Sequence, residues 1–367
     1  MSDVAVPYNS DNFRGPPRSF YSLVDHFLLL IFNFITVLLK KKQRGDELQL
    51  QKIEYPWAVD LLDQAIANTW FPHEAPMAED LENWRTMSDD EKNAVITYIG
   101  FSNPMEYEVN ESIMYGMMPF ISAPEVNMYL IRQQWEEVNH ALSFDYVINT
   151  LEIDRSKAFG THTDISTVAA KEKFLTKSID NMSEGNVDVD TIEGVQEFIK
   201  NIVKTNIVTE GIWFYSGFMF ALSFRQRNLM RNLGTITDWI ARDEALHLKV
   251  GINIILTILE EQPEVVTPEF AQEIKDIVIQ AVELEMAYNK DLLPNGILGL
   301  NTEFVNKYVQ YVADRRLEEL GFEAHFNVQN PAKWMTTAND TFQLVNFFET
   351  VNTAYEVNAT GTRGMKK

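Results

Sequence analysis

Two short segments each place a glutamate and a histidine three residues apart. Glu137 and His140 lie in "WEEVNHALSF", and Glu244 and His247 lie in "RDEALHL". Residues at this spacing share one face of a helix. The neighbouring residues are largely apolar, and carboxylates or imidazoles on a buried face must be paired or bind metal. The repeated pattern therefore indicates a metal site.

Each of these pairs has a further glutamate upstream. Glu210 lies in the apolar segment "NIVTEGIWFYSGF", where its burial requires a partner. In "NPMEYEVNES" three candidates are available, namely Glu106, Glu108 and Glu111. One Glu from each of two helices and Glu-x-x-His from each of two others is the pattern of dinuclear carboxylate proteins. The alternative is two buried Glu–His pairs without metal, which leaves costly buried charges.

The charge balance of this set fits two divalent cations. Four carboxylates neutralise two such cations, and two neutral histidines complete the coordination sphere. Oxygen and imidazole ligands without thiolate suit iron or manganese.

The apolar periodicity predicts an all-α protein. Residues recur at helical spacing through 57–70, 90–117, 124–151, 193–224, 226–260, 268–291 and 301–320. Long helices with short connections predict a bundle whose site lies between facing core helices. We expect an N-terminal extension at 1–50, a helical domain at 51–330 and a flexible tail at 331–367.

Composition excludes several classes of function. The chain has no Cys, which excludes disulfides, iron–sulfur clusters and a Cys nucleophile. Its net charge of -22 argues against nucleic acid as a partner. Residues 20–42 are apolar and then basic, but polar residues such as Asp25 and Asn33 interrupt them. An interfacial or partner-packed helix is therefore favoured over a membrane span, and we expect a cytoplasmic protein.

Several longer motifs stand out, namely "EEVNH", "TEGIWFYSGF", "IARDEALHL", "LPNGILGLNTEFVNKYVQYVADRRLEELG" and "NFFET". Together they resemble the small (β) subunit of class I ribonucleotide reductase. The resemblance covers about residues 52–356. It implies a ferritin-like helical bundle, a homodimer, and a dinuclear centre that uses O₂ to make an oxidant for a catalytic large (α) subunit. The residues that match the family's metal ligands are Glu106, Glu137, His140, Glu210, Glu244 and His247.

Phe144 departs from the pattern of most of this family. It stands four residues after His140, where most members carry the Tyr that stores the radical. Together with Glu rather than Asp at position 106, it resembles the class Ic branch, in which a manganese–iron centre holds the oxidising equivalent. Manganese–iron is therefore favoured and di-iron stays open. The alternative for Phe144 is core packing alone.

The resemblance also implies roles outside the ligand set. Trp57, in "IEYPWAVD", matches the electron-relay Trp, and Asp243 matches the carboxylate that joins His140 to it. Tyr355 matches the Tyr that passes the radical to the large subunit. Trp239, one turn before Asp243, is a candidate auxiliary relay or a packed core residue. The basic end "GTRGMKK" differs from the family's acidic or apolar ending.

Other functions of a similar bundle form the alternatives. A ferritin-type storage protein would be shorter and would need no tail Tyr. A ferritin-like oxidase or desaturase would carry an apolar tunnel for a lipid. An inactive scaffold would keep the fold without turnover.

Overall fold

A computed structural model describes residues 38–39 and 53–335. The expected extension at 1–50, with nearly all of its apolar segment, and most of the tail, including Tyr355, lie outside the described residues. Eleven α-helices make up the described part: α1 Pro56–Ala67, α2 Asp80–Thr86, α3 Asp89–Glu111, α4 Pro124–Thr150, α5 Arg155–Asp164, α6 Ser166–Ser183, α7 Ile192–Ile202, α8 Phe214–Arg225, α9 Arg231–Glu261, α10 Pro268–Leu292 and α11 Thr302–Glu319. Two π-helical segments, Ser112–Met117 and Val203–Trp213, follow α3 and α7.

The all-α prediction is confirmed, since helices dominate and the described residues form no strand. Each of the seven predicted ranges contains a helix close to the expected bounds. The periodicity missed α2, α5 and α6. The α5 sequence "RSKAFGTHTD" has too few apolar residues to form a recognisable stripe.

The core layer consists of α3, α4, α9 and the long helix that runs from α7 through the π segment Val203–Trp213 into α8. In this layer α3 packs on α4, and α9 packs on both α8 and the π segment. The long helix, Ile192–Arg225, has the length and apolar composition to cross a membrane, but 89% of its most apolar stretch is buried inside the protein. Among the described residues it therefore acts as a core helix of the bundle.

The start of α9 is set by a distant residue. Met230, just before it, adopts a left-handed conformation with φ 47°, so the helix begins later than the predicted position 226. The Asp80 carboxylate accepts hydrogen bonds from the backbone N–H groups of Asn232, at 3.0 Å, and Leu233, at 2.9 Å. A carboxylate at this position satisfies free N–H groups and complements the helix dipole.

The π segment Val203–Trp213 lies against α9, and a glycine permits the close approach. A Cβ atom added at Gly251 would lie 2.4 Å from the Cβ of Asn206. The Asn206 amide donates to the backbone carbonyl of His247 at 3.3 Å. This contact fixes the segment that carries Glu210 beside the helix that carries the second Glu–His pair.

A buried ion pair joins α6 to α10. The Lys171 ammonium contacts the Glu285 carboxylate, and both side chains are fully buried. The ammonium also lies 3.4 Å from the ring centre of Phe101 and 4.3 Å from that of Tyr288. Burial lowers the pKa of Lys171 to about 8, although Glu285 opposes this shift. The pair and its aromatic surround hold the outer helices in place.

Candidate metal centre

Four core elements bring the six predicted ligands together. The acidic and imidazole groups form two overlapping sets, each with its ligand atoms within 4.8 Å of one another. The first set is Glu106, Glu137, His140 and Glu244, and the second is Glu137, Glu210 and His247. All six side chains are buried.

The structure distinguishes the three carboxylates that the sequence left open on α3. Glu106 is buried and lies in the cluster, with an oxygen 3.5 Å from His140 Nδ1. Glu111 is exposed and Glu108 is only partly buried. Neither of them belongs to the two ligand sets.

Both histidines direct their Nδ1 atoms at the centre of the cluster. His140 Nδ1 lies 3.2 Å from Glu244 Oε1 and 3.5 Å from Glu137 Oε2. His247 Nδ1 lies 3.1 Å from Glu137 Oε1 and 3.2 Å from Glu244 Oε2. Glu137 and Glu244 thus each present one oxygen to one histidine and the other oxygen to the other, as carboxylates do when they bridge two metals.

An outer carboxylate accepts a hydrogen bond from each histidine. Asp243 Oδ2 lies 3.3 Å from His140 Nε2, and Glu136 Oε2 lies 3.0 Å from His247 Nε2. An ionised carboxylate can only accept, so Nε2 donates the proton, and the neutral imidazole then offers the lone pair of Nδ1 to a metal. Arg132 Nε donates in turn to Glu136 Oε1 at 3.1 Å. Sequence reasoning missed Glu136, although it stands beside Glu137 in "WEEVNH".

Two amide side chains orient Glu210. Gln133 Nε2 donates to Glu210 Oε1 at 2.7 Å, and Asn206 Nδ2 donates to Glu210 Oε2 at 2.7 Å. Glu210 lies within the π-helical segment, and such segments often occur at functional sites. Gln133 also lies one turn before Glu137, so the same side chain serves both carboxylates.

The electrostatics of the cluster favour added positive charge. Burial raises the pKa of Glu106 and Glu210 well above the usual value, and neighbouring carboxylates raise it further. Burial lowers the pKa of His140 and His247, but the facing carboxylates outweigh it and hold both pKa values well above the usual one. Four ligand atoms, Glu106 Oε2, Glu137 Oε2, His140 Nδ1 and Glu244 Oε1, are buried without a hydrogen-bond partner among the described residues. Such a donor set fits two cations.

The prediction that joins Trp57 to Asp243 is wrong. The indole that donates to Asp243 Oδ2, at 2.6 Å, belongs to Trp70. Trp57 lies at the start of α1, and its ring contacts that of Tyr55 at 6.2 Å. Trp70 follows α1 in a loop, where the Asn139 amide binds its backbone carbonyl at 3.1 Å. The predicted helical range 57–70 ended at Trp70, whereas α1 ends at Ala67, so spacing within a helix did not indicate the role of Trp70.

Trp70 is in contact with two further aromatic groups. Its ring stacks on the His140 imidazole, with centroids 6.0 Å apart and an interplanar angle of 18°. It also lies 5.1 Å from the Trp239 ring. Trp239 is partly buried and packs against the core. A continuous path therefore runs from Trp239 through Trp70 and Asp243 to His140.

Phe144 is buried in the core, and a tyrosine that the sequence analysis overlooked lies against it. The rings of Phe144 and Tyr98 meet edge to face, with centroids 5.8 Å apart. Burial raises the pKa of Tyr98, and the charge of Glu106 adds to the shift. The nearby hydroxyls of Ser102 and Thr237 oppose this rise in pKa. Neither of them meets hydrogen-bond geometry with the Tyr98 phenol. Tyr98 stands two turns before Glu106, a spacing that would have revealed it.

A second buried phenol, Tyr129, occupies the corresponding place on α4. It stands two turns before Glu137, and its hydroxyl has no hydrogen-bond partner among the described residues. Burial raises its pKa well above the usual value, while the charge of His247 opposes the shift. Tyr146, by contrast, points away from the cluster and donates to the backbone carbonyl of Ala75 at 3.0 Å.

Comparison with known proteins agrees with this geometry. Residues 47–331 match the family model for "Ribonucleotide reductase, small chain". A ribonucleoside-diphosphate reductase subunit beta from Chlamydia pneumoniae is 40% identical over 311 residues, which are 84% of this chain and 90% of that protein. The corresponding subunit from Treponema pallidum is 28% identical over 83% of this chain and 86% of its own length.

A solved structure is similar over nearly its whole length. The ribonucleotide reductase R2 subunit from Clostridium botulinum has a TM-score of 0.75 and 25% identity, and the match covers 86% of this chain and 98% of that one. The helical bundle described above is therefore the ferritin-like fold of these subunits.

We expect metal binding at this cluster to release protons. Glu106, Glu210 and both histidines have raised pKa values, so the metal-free protein holds protons that a cation must displace. The apparent affinity for Mn²⁺ should therefore fall as pH is lowered, by about tenfold per pH unit for each proton released. Calorimetry in buffers of different ionisation enthalpy measures the proton count directly. An affinity that does not change with pH, with no proton released, would contradict the described electrostatics.

Proposed function

We propose, since this chain belongs to the ribonucleotide reductase small-chain family, that its cluster holds a manganese–iron pair which itself keeps the oxidising equivalent. The chain is the small subunit of a ribonucleoside-diphosphate reductase, an oxidoreductase. Membership of this family replaces the storage and lipid-oxidase alternatives. Metal content and turnover with the large subunit distinguish an active subunit from an inactive scaffold. The observation that carries the proposal is the buried Phe144 in the place of the radical Tyr.

We assign the ligands from the contacts already described. Glu106, Glu137 and His140 would hold one metal, and Glu210, Glu244 and His247 the other. Glu137 and Glu244 would bridge, because each of them faces both histidines. When bound, such a pair supplies the capacity to activate O₂ and to retain one oxidising equivalent for the large subunit.

The surroundings of the cluster support storage of the oxidising equivalent on the metals rather than on a phenol. A tyrosine that gives up an electron must also release its phenolic proton. Phe144 has no phenol, and the buried Tyr98 hydroxyl has no hydrogen-bonded base to receive a proton. The buried Tyr129 hydroxyl likewise has no hydrogen-bonded base to receive a proton. The oxygen and imidazole donors accept iron and manganese alike, so the ligands do not select the metals. We favour manganese–iron because no phenol beside the cluster is placed to store the oxidising equivalent.

Metal loading tests the proposal. Protein loaded with iron alone, manganese alone or both is exposed to O₂, its metal content is measured, and nucleotide reduction is assayed with the large subunit. We expect full activity only in the sample that contains both metals in equal amounts. Full activity with iron alone, accompanied by a stable tyrosyl radical, would rule the proposal out.

We transfer the relay role from Trp57 to Trp70. The indole N–H of Trp70 is linked through Asp243 to His140, and Trp57 has no such link. Trp70→Phe removes the hydrogen bond to Asp243 and is expected to lower turnover with the large subunit by about 10–100-fold. Metal content should stay that of the wild type. Trp57→Phe is the matched control and should keep wild-type turnover. The reverse order of the two variants would restore the assignment made from the sequence.

The tail at 331–367 is proposed to dock on the large subunit and to bring Tyr355 to the interface. Tyr355→Phe should leave metal binding and O₂ consumption unchanged, because no ligand lies near it in the sequence. Turnover with the large subunit should be lost, since Phe cannot pass on the radical. Wild-type turnover in this variant would refute the role.

The soluble bundle and the large-subunit partner are in keeping with a cytoplasmic location.

A homodimer would cover an exposed apolar face on α3, the π turn after it, and α4. Six large apolar side chains in this region are between 46% and 65% exposed: Tyr107, Met114, Tyr115, Ile131, Val138 and Leu142. Apolar surface gathered in this way marks an interaction face. A relative of the same fold, from Saccharomyces cerevisiae, is described as a homodimer.

Charged residues on this face should separate the subunits. We expect the variant Ile131→Arg/Leu142→Arg to sediment as a monomer where the wild type sediments as a dimer. Ile192→Arg is a matched control, because Ile192 is 42% exposed but lies on α7, outside this face. Unchanged sedimentation of the double variant would place the interface elsewhere.

A further inference from the structure

A cavity of about 500 Å³ opens on the outside of the bundle, away from the metal cluster. Its walls are α6, α10 and the long helix formed by α7 and the π segment. Lysines line it in two pairs at helical spacing: Lys173 and Lys177 on α6, and Lys200 and Lys204 on the long helix. Residues four apart share a helix face, so both pairs face the same space.

Only one of the four ammonium groups is neutralised. Lys200 Nζ lies 2.8 Å from Glu197 Oε1 and 2.5 Å from Glu273 Oε2. Among the described residues, no carboxylate lies within ion-pair distance of Lys173, Lys177 or Lys204, whereas the remaining wall acid, Asp276, accepts a hydrogen bond from Gln272 at 2.8 Å. Four lysines against three carboxylates give the cavity wall a net charge of +1, and three of these lysines form no ion pair among the described residues. A positive wall stands out in a chain with 53 acidic and 31 basic residues.

Lys204 bears the greatest electrostatic cost of this arrangement. It is partly buried, with its Nζ 5.1 Å from the centre of the Phe174 ring. Burial lowers its pKa, Glu197 partly opposes the shift, and the charges of Lys177 and Lys200 lower it further. An anion in the cavity would relieve this repulsion and stabilise the charged form.

The other part of the wall is apolar. Phe174, Ile277 and Leu284 line the cavity beside the lysines. A volume of this size falls within the range of sites for small organic molecules and cofactors. The combination suits a ligand with a strongly anionic end, and lysine is a regular partner of phosphate.

We propose that this cavity binds the di- or triphosphate group of a small molecule, held by Lys173, Lys177 and Lys204. The site does not depend on the metal cluster, and its failure would leave the proposed function untouched. A free polyphosphate and a nucleoside triphosphate share this chemistry. In the nucleotide the base and sugar would lie along Phe174, Ile277 and Leu284.

Calorimetric titration of the full chain with ATP, tripolyphosphate and adenosine tests the site. We expect one molecule of ATP or tripolyphosphate to bind per chain, with an affinity that falls as salt concentration rises. Adenosine alone should not bind. Tighter binding of ATP than of tripolyphosphate identifies a nucleotide site, and equal binding identifies a site for the phosphate chain alone. Absence of binding by both phosphates would overturn the proposal.

Variants locate the binding on these residues. Lys173→Met/Lys177→Met changes two exposed side chains, so folding should be unaffected. Lys204→Met removes the charge of the partly buried lysine. Each is expected to weaken phosphate binding at least tenfold. Lys290→Met is the matched control, because Lys290 is exposed on α10 outside the cavity. Binding that is unchanged in both test variants, or equally weakened in the control, would refute the assignment.

Discussion

Four carboxylates buried side by side repel one another, and the core around them is arranged to hold them together. Glu106, Glu137, Glu210 and Glu244 are enclosed by four core elements, and water does not reach them. Carboxylates so placed must bind protons or cations. The neighbouring histidines supply part of the positive charge in the metal-free protein. Two divalent cations would supply all of it and leave the imidazoles neutral.

The elements around the cluster hold its ligands in position. Asp243 and Glu136 fix the two imidazoles, and the amides of Gln133 and Asn206 fix Glu210. Outer groups of this kind decide which nitrogen faces the metal. The close contact at Gly251 keeps the π segment beside α9. The same long helix forms part of the lysine-lined cavity at its outer side, so one element serves both regions.

The sequence alone was enough to predict the features that depend on spacing within a helix. The two Glu-x-x-His pairs, the apolar segment around Glu210 and the main helix ranges follow from local periodicity. The sequence was not enough where a contact between distant parts of the chain sets the position of a residue or a helix end. Asp80 sets the start of α9 from another part of the chain, and Trp70 reaches Asp243 only because its loop folds back over α4. Helical spacing could also have placed Tyr98 and Glu136 near the ligands. Their roles, however, depend on the side chains that they contact across the core.

We propose that the metals, and no phenol, keep the oxidising equivalent. The most direct measurement is an electron paramagnetic resonance spectrum of protein loaded with manganese and iron and exposed to O₂, recorded before and after one-electron reduction. We predict no tyrosyl signal in the wild type or in Tyr98→Phe, and a signal from coupled manganese and iron after reduction. A stable tyrosyl signal that is present in the wild type and lost in Tyr98→Phe would contradict it, because the phenol beside Phe144 would then be the store.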